Sequence, residues 1–278
     1  MMSANRAVAV AIAALSLVVV AIAVVVACTP VGMLYESFAS TQHDVPMVYC
    51  LMVTGKDDAR VALARGSVQN FIDQMYAAKR LVIVNHHPTQ SVLQGKVLDG
   101  VTEVRVDKAG KTLGDLRNVS MAYVQPGTLW TPWDDDDVRS LDYLALLFGR
   151  MATTGADVVL TTRRYEYNAN TDFAWETKLP TGTWMFFAKY DAAYKYASLD
   201  TKEDNAVKDQ MYALKKAIDM YDNDPRMYIR LVHSNNTSVA VDPAKQALGP
   251  NDTPVDAGTH AWIRRRVGAY FPSLVASS

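Results

Sequence analysis

The chain has 278 residues, half of which are hydrophobic, and its formal net charge at pH 7 is −1. This length suits one large folded domain with room for an appendage, and the lack of a basic excess argues against a nucleic-acid partner. The two cysteines, Cys28 and Cys50, provide neither a disulfide framework nor a metal-ligand pair of useful spacing.

The chain begins with a long apolar segment. Residues 7–28 consist of Ala, Val, Ile and Leu and a final Cys, interrupted only by Ser16. About 20 such residues span a bilayer as a helix, so we expect an N-terminal transmembrane helix in residues 1–28 and a linker in 29–46. Arg6 precedes the segment and acidic residues follow it, a distribution that favours a cytoplasmic N-terminus.

Two alternatives to an uncleaved anchor remain open for this segment. It is also compatible with a cleaved signal peptide, although it exceeds the usual length of the apolar region. The sequence Val-Val-Ala-Cys at 25–28 resembles a bacterial lipoprotein cleavage site, which would make Cys28 a lipid attachment point.

From residue 48, short apolar runs of strand length alternate with segments of helical periodicity. The predicted strands are 48–53, 81–84, 101–106, 128–133, 158–160, 183–187 and 227–232; the predicted helices are 60–75, 113–123, 139–151 and 204–220. This alternation predicts an α/β fold with a mostly parallel sheet flanked by helices. Residues 163–178 show no clean period, and 239–259 are rich in loop-forming residues.

Four consecutive carboxylates, Asp134 to Asp137, follow the strand predicted at 128–133. Closely spaced acids repel one another and are costly to desolvate unless a cation or hydrogen-bond donors share their charge. Mg²⁺ and Mn²⁺ prefer such oxygen-rich clusters, and α/β sheets bind ligands beyond the carboxyl ends of their strands. The alternative is an acidic loop that is simply solvated.

Seven stretches, in order, resemble a family-2 glycosyltransferase with the GT-A fold, a Rossmann-like architecture. They are 48–57, Leu-Gly-Asp-Leu-Arg-Asn at 113–118, Trp-Asp-Asp-Asp-Asp at 133–137, 141–144 with 155–158, 180–187, Thr-Lys-Glu-Asp at 201–204, and Tyr-Ile-Arg-Leu-Val-His-Ser-Asn-Asn-Thr at 228–237. The resemblance implies a glycosyltransferase domain in residues 47–240, followed by a C-terminal extension in 241–278.

The resemblance implies a metal site in the acidic run, which has the character of a DxD motif. The metal, Mn²⁺ or Mg²⁺, would contact Asp136, with Asp134 and His233 as further ligands. Such an ion offsets the charge that develops on a departing diphosphate. A four-residue run lets the register slip by one position. Capping of the following helix is therefore the alternative role for Asp135 and Asp137.

Inverting transfer also requires a base that deprotonates the acceptor hydroxyl, and the resemblance gives this role to Asp204. Stabilisation of a helix N-terminus is the alternative. The residues implied on the acceptor side are Trp175, Glu176, Gly182 and Glu203.

The nucleotide-sugar-binding residues implied by the resemblance are Thr54, Asn85, Arg117, Asn118, Asp134 and Asp135. Two turns depart from the family pattern. Asn-His-His-Pro at 85–88 stands where an Asp-Asp-Gly-Ser type turn is usual, and Thr-Gly-Lys-Asp at 54–57 where Thr-Tyr-Asn is common. These changes leave the identity of the base open.

The function predicted on this basis is that of a metal-dependent inverting glycosyltransferase, acting from a UDP-linked donor on a hydroxyl of a glycan or glycoconjugate. One alternative is a catalytically inactive nucleotide-sugar-binding or scaffold domain of a glycan-assembly complex. Another is a nucleotidyl or phosphoryl transferase, which the lack of a phosphate-cradling Gly-rich loop disfavours.

The expected location is a membrane, with a single N-terminal anchor. Glycosylation sequons begin at Asn118, Asn235, Asn236 and Asn251. Glycans at the first two would crowd the predicted site, which argues for a cytoplasmic domain, or for a cell that does not N-glycosylate, and against the orientation favoured by charge. The side of the membrane therefore stays open.

Overall fold

A computed structural model describes residues 45–182, 185–234 and 248–275. The predicted membrane anchor at 1–28 and most of the linker lie outside them. Within these ranges, no helix combines the length and the apolar character needed to cross a bilayer. The compact unit considered below begins at Pro46.

Twelve strands and five α-helices are found in the described ranges. The strands are β1 (Val48–Thr54), β2 (Lys79–Asn85), β3 (Val101–Arg105), β4 (Leu129–Pro132), β5 (Val138–Arg139), β6 (Val158–Thr161), β7 (Arg163–Asn168), β8 (Phe173–Lys178), β9 (Phe186–Lys189), β10 (Ile218–Tyr221), β11 (Tyr228–Val232) and β12 (Asp252–Pro254). The helices are α1 (Asp58–Ile72), α2 (Leu113–Met121), α3 (Tyr143–Thr154), α4 (Glu203–Ala213) and α5 (Ala257–Tyr270).

The larger sheet has seven strands in the order β10-β6-β9-β4-β1-β2-β3. The strands β3, β2, β1 and β4 are parallel, and β10 is parallel to β6, whereas β9 runs antiparallel between β4 and β6. The central strand β1 is buried along almost its whole length, as expected for a strand covered on both faces. The prediction of an α/β fold with a mostly parallel sheet is therefore confirmed.

A second sheet of five strands, in the order β12-β8-β7-β11-β5, was not predicted. Its hairpin β7–β8 occupies the segment in which the sequence shows no clean period. The reason lies in buried charges on β7: Glu166 is 4% exposed and accepts hydrogen bonds from Arg164 at 2.9 Å and from Arg230 at 3.1 Å. Charged residues at buried positions hide the alternation that marks a strand.

Two further elements differ from the sequence predictions. The helix predicted at 204–220 ends at Ala213, after which Lys215 adopts a positive φ of 52° and β10 begins. The predicted loop at 239–259 contains β12 and the start of α5. There the Asp256 side chain caps the helix by accepting from the backbone N–H of Thr259 at 2.9 Å.

Helix α5 packs closely against α1. A Cβ added to Gly66 on α1 would lie 2.3 Å from the carbonyl oxygen of Tyr270, so a side chain at this position would separate the helices. The apolar side chains on the inner face of α5, Ile263 and Val267, are fully buried in the core of the second sheet. Residues of the predicted C-terminal extension thus cover this sheet.

Candidate active site

The acidic run Asp134–Asp137 connects β4 of the larger sheet to β5 of the second sheet. Just before the run, the backbone N–H of Trp133 donates to the Leu51 carbonyl at 2.9 Å, and the fully buried indole lies edge-on to Phe71 at 5.8 Å. Just after it, the Arg139 guanidinium sits 4.1 Å from the centre of the Trp133 ring. Both ends of the run are therefore fixed in the core.

The four carboxylates are not a solvated loop. Asp135, Asp136 and Asp137 are 1%, 5% and 3% exposed, and only Asp134 is half-buried. Since buried carboxylates are costly without donors or cations, each must have partners in the fold. The alternative of a solvated acidic loop is therefore wrong.

Arg60, in the first turn of α1, holds two of these carboxylates. Its Nε donates to Asp135 Oδ2 at 3.2 Å, its Nη2 donates to the other oxygen of Asp135, and its Nη1 donates to Asp136 Oδ2. Burial disfavours the cation, but the two carboxylates outweigh it and raise the pKa of Arg60 above its ordinary value. Arg60 therefore stays charged.

Asp136 also contacts His233, which follows β11. The His233 Nε2 atom lies 3.1 Å from the same Oδ2 atom that receives the hydrogen bond from Arg60. Burial alone would raise the pKa of Asp136, but Arg60 and His233 together hold it below the ordinary value. Asp136 is thus a carboxylate shared by two nitrogen donors.

Asp137 holds the acidic run against β11. It accepts hydrogen bonds from the Tyr228 hydroxyl and, at 3.0 Å, from the backbone N–H of Leu231. Burial raises its pKa, and the neighbouring Asp136 adds to the effect. The next α-helix begins only at Tyr143, so Asp137 does not take the alternative role of helix cap and bonds to a strand instead.

Arg117 bridges Asp134 to helix α4. Its Nη2 donates to Asp134 Oδ1 at 3.1 Å, and its Nε donates to Glu203 Oε1 at 2.9 Å. Burial opposes the Arg117 charge, but Asp134 and further negative groups raise its pKa. Through this bridge, two sequence-predicted segments that are 86 residues apart meet beside the acidic run.

Asp204 is half-buried beside this bridge, at the N-terminus of α4. Burial raises its pKa above the ordinary value, while Arg117 opposes the rise and Asp134 adds to it. Glu203 is more buried, and its pKa is raised in the same way. The structure therefore places the predicted base Asp204 directly after Glu203, which Arg117 bridges to Asp134.

The segment 113–118 is held mainly by backbone contacts. A Cβ on Gly114 would lie 1.7 Å from the Ala197 carbonyl oxygen, which explains the glycine. The Asn118 amide donates to the Tyr196 carbonyl at 2.9 Å and accepts from the Tyr196 N–H at 2.9 Å. In this arrangement Asn118 clamps the chain that leads into α4, and Arg117 supplies the contact to the acidic run.

The predicted base-reading residue Asn85 is fully buried at the end of β2. Its amide donates to Glu103 Oε1 at 2.6 Å and to the Gln90 carbonyl at 2.9 Å, and it accepts from the His87 N–H at 2.8 Å. Every polar atom of the side chain thus has a partner in the following loop. Asn85 shapes that loop and presents no free edge to a base.

Thr54, at the end of β1, is buried close to Arg60 and the acidic run. Its hydroxyl donates to the Arg60 carbonyl at 3.4 Å, and its side chain lies close to Asp135. Burial raises the pKa of Asp135, and Arg60 and Thr54 limit that rise. Two of the six predicted nucleotide-sugar-binding residues, Thr54 and Asp135, therefore lie next to Arg60.

The predicted acceptor-side residues on β8 have partners elsewhere. Trp175 is 2% exposed and stacks on Phe173 at 5.9 Å, and Glu176 accepts from Arg163 at 2.8 Å. Gly182 has a φ of 77°, and a Cβ there would lie 2.8 Å from the Cβ of Leu160. Trp175 is therefore a core residue, and of this set only Glu203 contacts the Arg117 bridge.

Two residues of the site were missed from the sequence. Arg60 carried a usable signal, because a cation in the first turn of a helix opposes the helix dipole and needs a compensating partner. Arg139 is fully buried among Trp133, Tyr143 and Tyr228, with its guanidinium 4.1 to 5.9 Å from the three ring centres. Nothing in the sequence distinguishes it from a surface arginine.

The predicted metal ligands do not form a joint site in this arrangement. Asp136 and His233 are adjacent, but Asp134 faces Arg117, and Arg60 already donates to the Asp136 oxygen nearest His233. Over the described ranges, no group of three or more His, Cys, Asp or Glu residues is placed to hold a metal ion. In this arrangement, the residues of the described ranges therefore do not fit the expected Mn²⁺ or Mg²⁺ ion.

The fold is a mixed α/β fold of the GT-A-like type, as comparison with solved structures shows. TarS 1-349 of S. aureus in complex with UDP-GlcNAc is similar with a TM-score of 0.52 and 11% identity, over 81% of this chain and 66% of that one. The same protein in complex with UDP is similar with a TM-score of 0.52 and 14% identity, over 67% and 60% of the two chains.

No protein-family model and no curated protein sequence matches the chain. The chain spans about two thirds or less of the TarS structures to which it is similar. At these identities the likeness establishes the fold alone.

Proposed function

We propose that this chain is an inverting glycosyltransferase, which moves a sugar from a nucleotide-sugar donor, UDP-linked, to a hydroxyl group of a glycan or glycoconjugate. The observation that carries the proposal is the Arg117 bridge, which joins Asp134 of the run that follows β4 to Glu203, the neighbour of Asp204 at the start of α4. In α/β folds this edge, at the carboxyl ends of parallel strands, is where ligands bind. The TarS neighbours with UDP and UDP-GlcNAc bound add support for the donor class.

In the proposed reaction, Asp204 takes the proton of the acceptor hydroxyl. The acceptor oxygen then bonds to the anomeric carbon of the donor sugar, and the diphosphate leaves with the electron pair of the broken bond. A carboxylate with a raised pKa accepts a proton more readily than an ordinary one, and burial gives Asp204 that property. Arg117, a partly buried cation that bridges Asp134 and Glu203, supplies positive charge near the leaving group.

The proposal includes the membrane anchor but does not require the metal. We retain attachment through an N-terminal anchor in residues 1–28, with the side of the membrane open. The Mn²⁺ or Mg²⁺ ion stays a prediction from the sequence, and no step above depends on it.

Calorimetric titration of the full chain with UDP, UDP-GlcNAc and, as a mismatched nucleotide, ADP tests donor binding. We expect the uridine nucleotides to bind and ADP to bind more weakly. Asp204→Asn should retain donor binding because the base faces the acceptor. If no nucleotide or nucleotide sugar binds, the proposal is wrong. If donors bind but no sugar is transferred, the scaffold alternative is favoured.

A further inference from the structure

Arg60 is placed in its site by its backbone as well as by its side chain. The Asp57 side chain, which caps α1, accepts from the Arg60 N–H at 2.9 Å, and the Thr54 hydroxyl donates to the Arg60 carbonyl. The side chain is only 11% exposed. The guanidinium therefore has little freedom to leave the acidic run.

Three donor atoms of this guanidinium engage the acidic run. The Nε and Nη2 atoms donate to both oxygens of Asp135, and Nη1 donates to Asp136. A planar guanidinium matches carboxylates in this paired manner and stays charged at every physiological pH. Arg60 thus offsets one of the two negative charges of Asp135 and Asp136 without any added cation.

A divalent cation and Arg60 would compete for one atom. A metal held by Asp136 and His233 would approach Asp136 Oδ2, which lies 3.1 Å from His233 Nε2 and already accepts from Arg60 Nη1. Two positive centres that share one carboxylate oxygen repel each other strongly in a site that excludes water. Occupancy by one therefore opposes occupancy by the other.

We propose that Arg60 is the resident cation of the acidic run: its guanidinium positions Asp135 and Asp136 and takes the place that the sequence assigned to Mn²⁺ or Mg²⁺. The acidic run is then held without a divalent metal, and transfer proceeds without one. This inference rests on the proposed function for its catalytic part, but the competition between Arg60 and a metal is independent of it.

Electron paramagnetic resonance titration of Mn²⁺ against the full chain tests the competition directly. We expect no tight Mn²⁺ binding by the wild type, and at least about 10-fold tighter binding by Arg60→Met, which removes the repelling charge at nearly constant volume. Arg60→Lys keeps the charge and should bind Mn²⁺ as weakly as the wild type. A merely structural role for Arg60 would not produce this difference between Met and Lys.

Tight Mn²⁺ binding by the wild type would overturn the proposal, as would an Arg60→Met variant that folds but gains no affinity. If Arg60→Met does not fold, the wild-type titration decides, together with UDP-sugar turnover after EDTA treatment. Unchanged turnover in EDTA supports the proposal, and lost turnover that Mn²⁺ restores contradicts it. Failure of the proposed function is a separate result, because it appears as absent nucleotide binding with and without metal.

Discussion

His233 Nε2 lies 3.1 Å from Asp136 Oδ2, although the two residues are 97 positions apart in the chain. The contact joins the end of β11 to the run that follows β4, and so it links the second sheet to the larger one. Asp137 reinforces this link through Leu231 on the same strand. The acidic run is therefore a junction between two sheets as well as a candidate site.

Loss of the Arg117 bridge should lower the free energy of unfolding. Arg117→Met leaves Asp134 and Glu203, whose side chains are 21% and 6% exposed, without their shared cation. We expect a loss of about 3 kcal/mol in the free energy of unfolding, measured by urea denaturation, because buried carboxylates would lose their counter-charge.

Arg226→Met is the matched control for the Arg117 bridge. Arg226 pairs with Asp224 on the surface, where the side chains are 65% and 43% exposed and water screens the pair, so its loss should change the free energy of unfolding much less. Similar losses of free energy of unfolding in the two variants would show that the Arg117 bridge stabilises the fold no more than a surface ion pair does.

The glycine in the segment 113–118 should tolerate no side chain. Gly114→Ala places a Cβ 1.7 Å from the Ala197 carbonyl oxygen, so helix α2 must move away from the chain that leads into α4. We expect a loss of about 1–3 kcal/mol or more in the free energy of unfolding, as for other overpacked positions.

Gly149→Ala is the control for Gly114→Ala, and we expect it to raise the free energy of unfolding instead of lowering it. Gly149 lies inside α3 and has no atom within 4 Å of an added Cβ. Alanine favours the helix over glycine by roughly 1 kcal/mol, so this variant should be slightly more stable than the wild type. A neutral Gly114→Ala would contradict the close approach seen here.

Glu103 should make stability depend on pH. Its carboxylate accepts from Asn85 at 2.6 Å, from the Ser91 hydroxyl at 2.6 Å, and from the N–H groups of Val92 and Leu93 at 3.0 and 3.1 Å. Burial opposes the charge, but these donors outweigh it and lower the pKa below the ordinary value of 4.5. A depressed pKa means that the stabilisation is complete above about pH 4.5 and is lost as the pH falls through the folded-state pKa.

The variant Glu103→Gln isolates this effect. The wild type should exceed it in free energy of unfolding at neutral pH, and the difference should shrink in urea titrations carried out at about pH 3. A difference that stays constant with pH would show that the charge of Glu103 does not contribute.

Asp204 should control the acidic limb of the turnover rate. Burial raises its pKa above the ordinary value of 3.8, and only the deprotonated carboxylate can accept a proton. Turnover should therefore rise with pH through the raised pKa and level off above it. Asp209→Asn, at an exposed position of the same helix, should leave the profile unchanged. If Asp204→Asn keeps full turnover and shows the same acidic limb in its pH profile as the wild type, Asp204 is not the base.

Much of the larger sheet was predictable because its strands are apolar runs, as in β1 and β2, or alternate apolar and polar residues, as in β3. The predicted strands at 48–53, 81–84 and 101–106 each lie within one or two residues of β1, β2 and β3. The place of the acidic run at a strand end was also correct. These features depend on local sequence, which a single chain displays directly.

The second sheet and the partners of the acidic run were not predictable by the same means. The strand β7 buries Arg164 and Glu166 as an ion pair, and no periodicity marks such a strand. The bridges made by Arg60 and Arg117 join segments 75 and 86 residues apart, so only the fold brings them together. The choice between a metal ion and an arginine as counter-charge depends on that packing.

Turnover is the most direct test of the proposed function. The measurement is the release of UDP from a panel of UDP-sugars by the full chain, with hydroxyl-bearing glycans as acceptors, for the wild type and for Asp204→Asn. We expect acceptor-dependent UDP release by the wild type, and a loss of about 100-fold or more in the variant with donor binding retained. Wild-type-like turnover in the variant, or the absence of binding and turnover with every nucleotide sugar, would contradict the assignment.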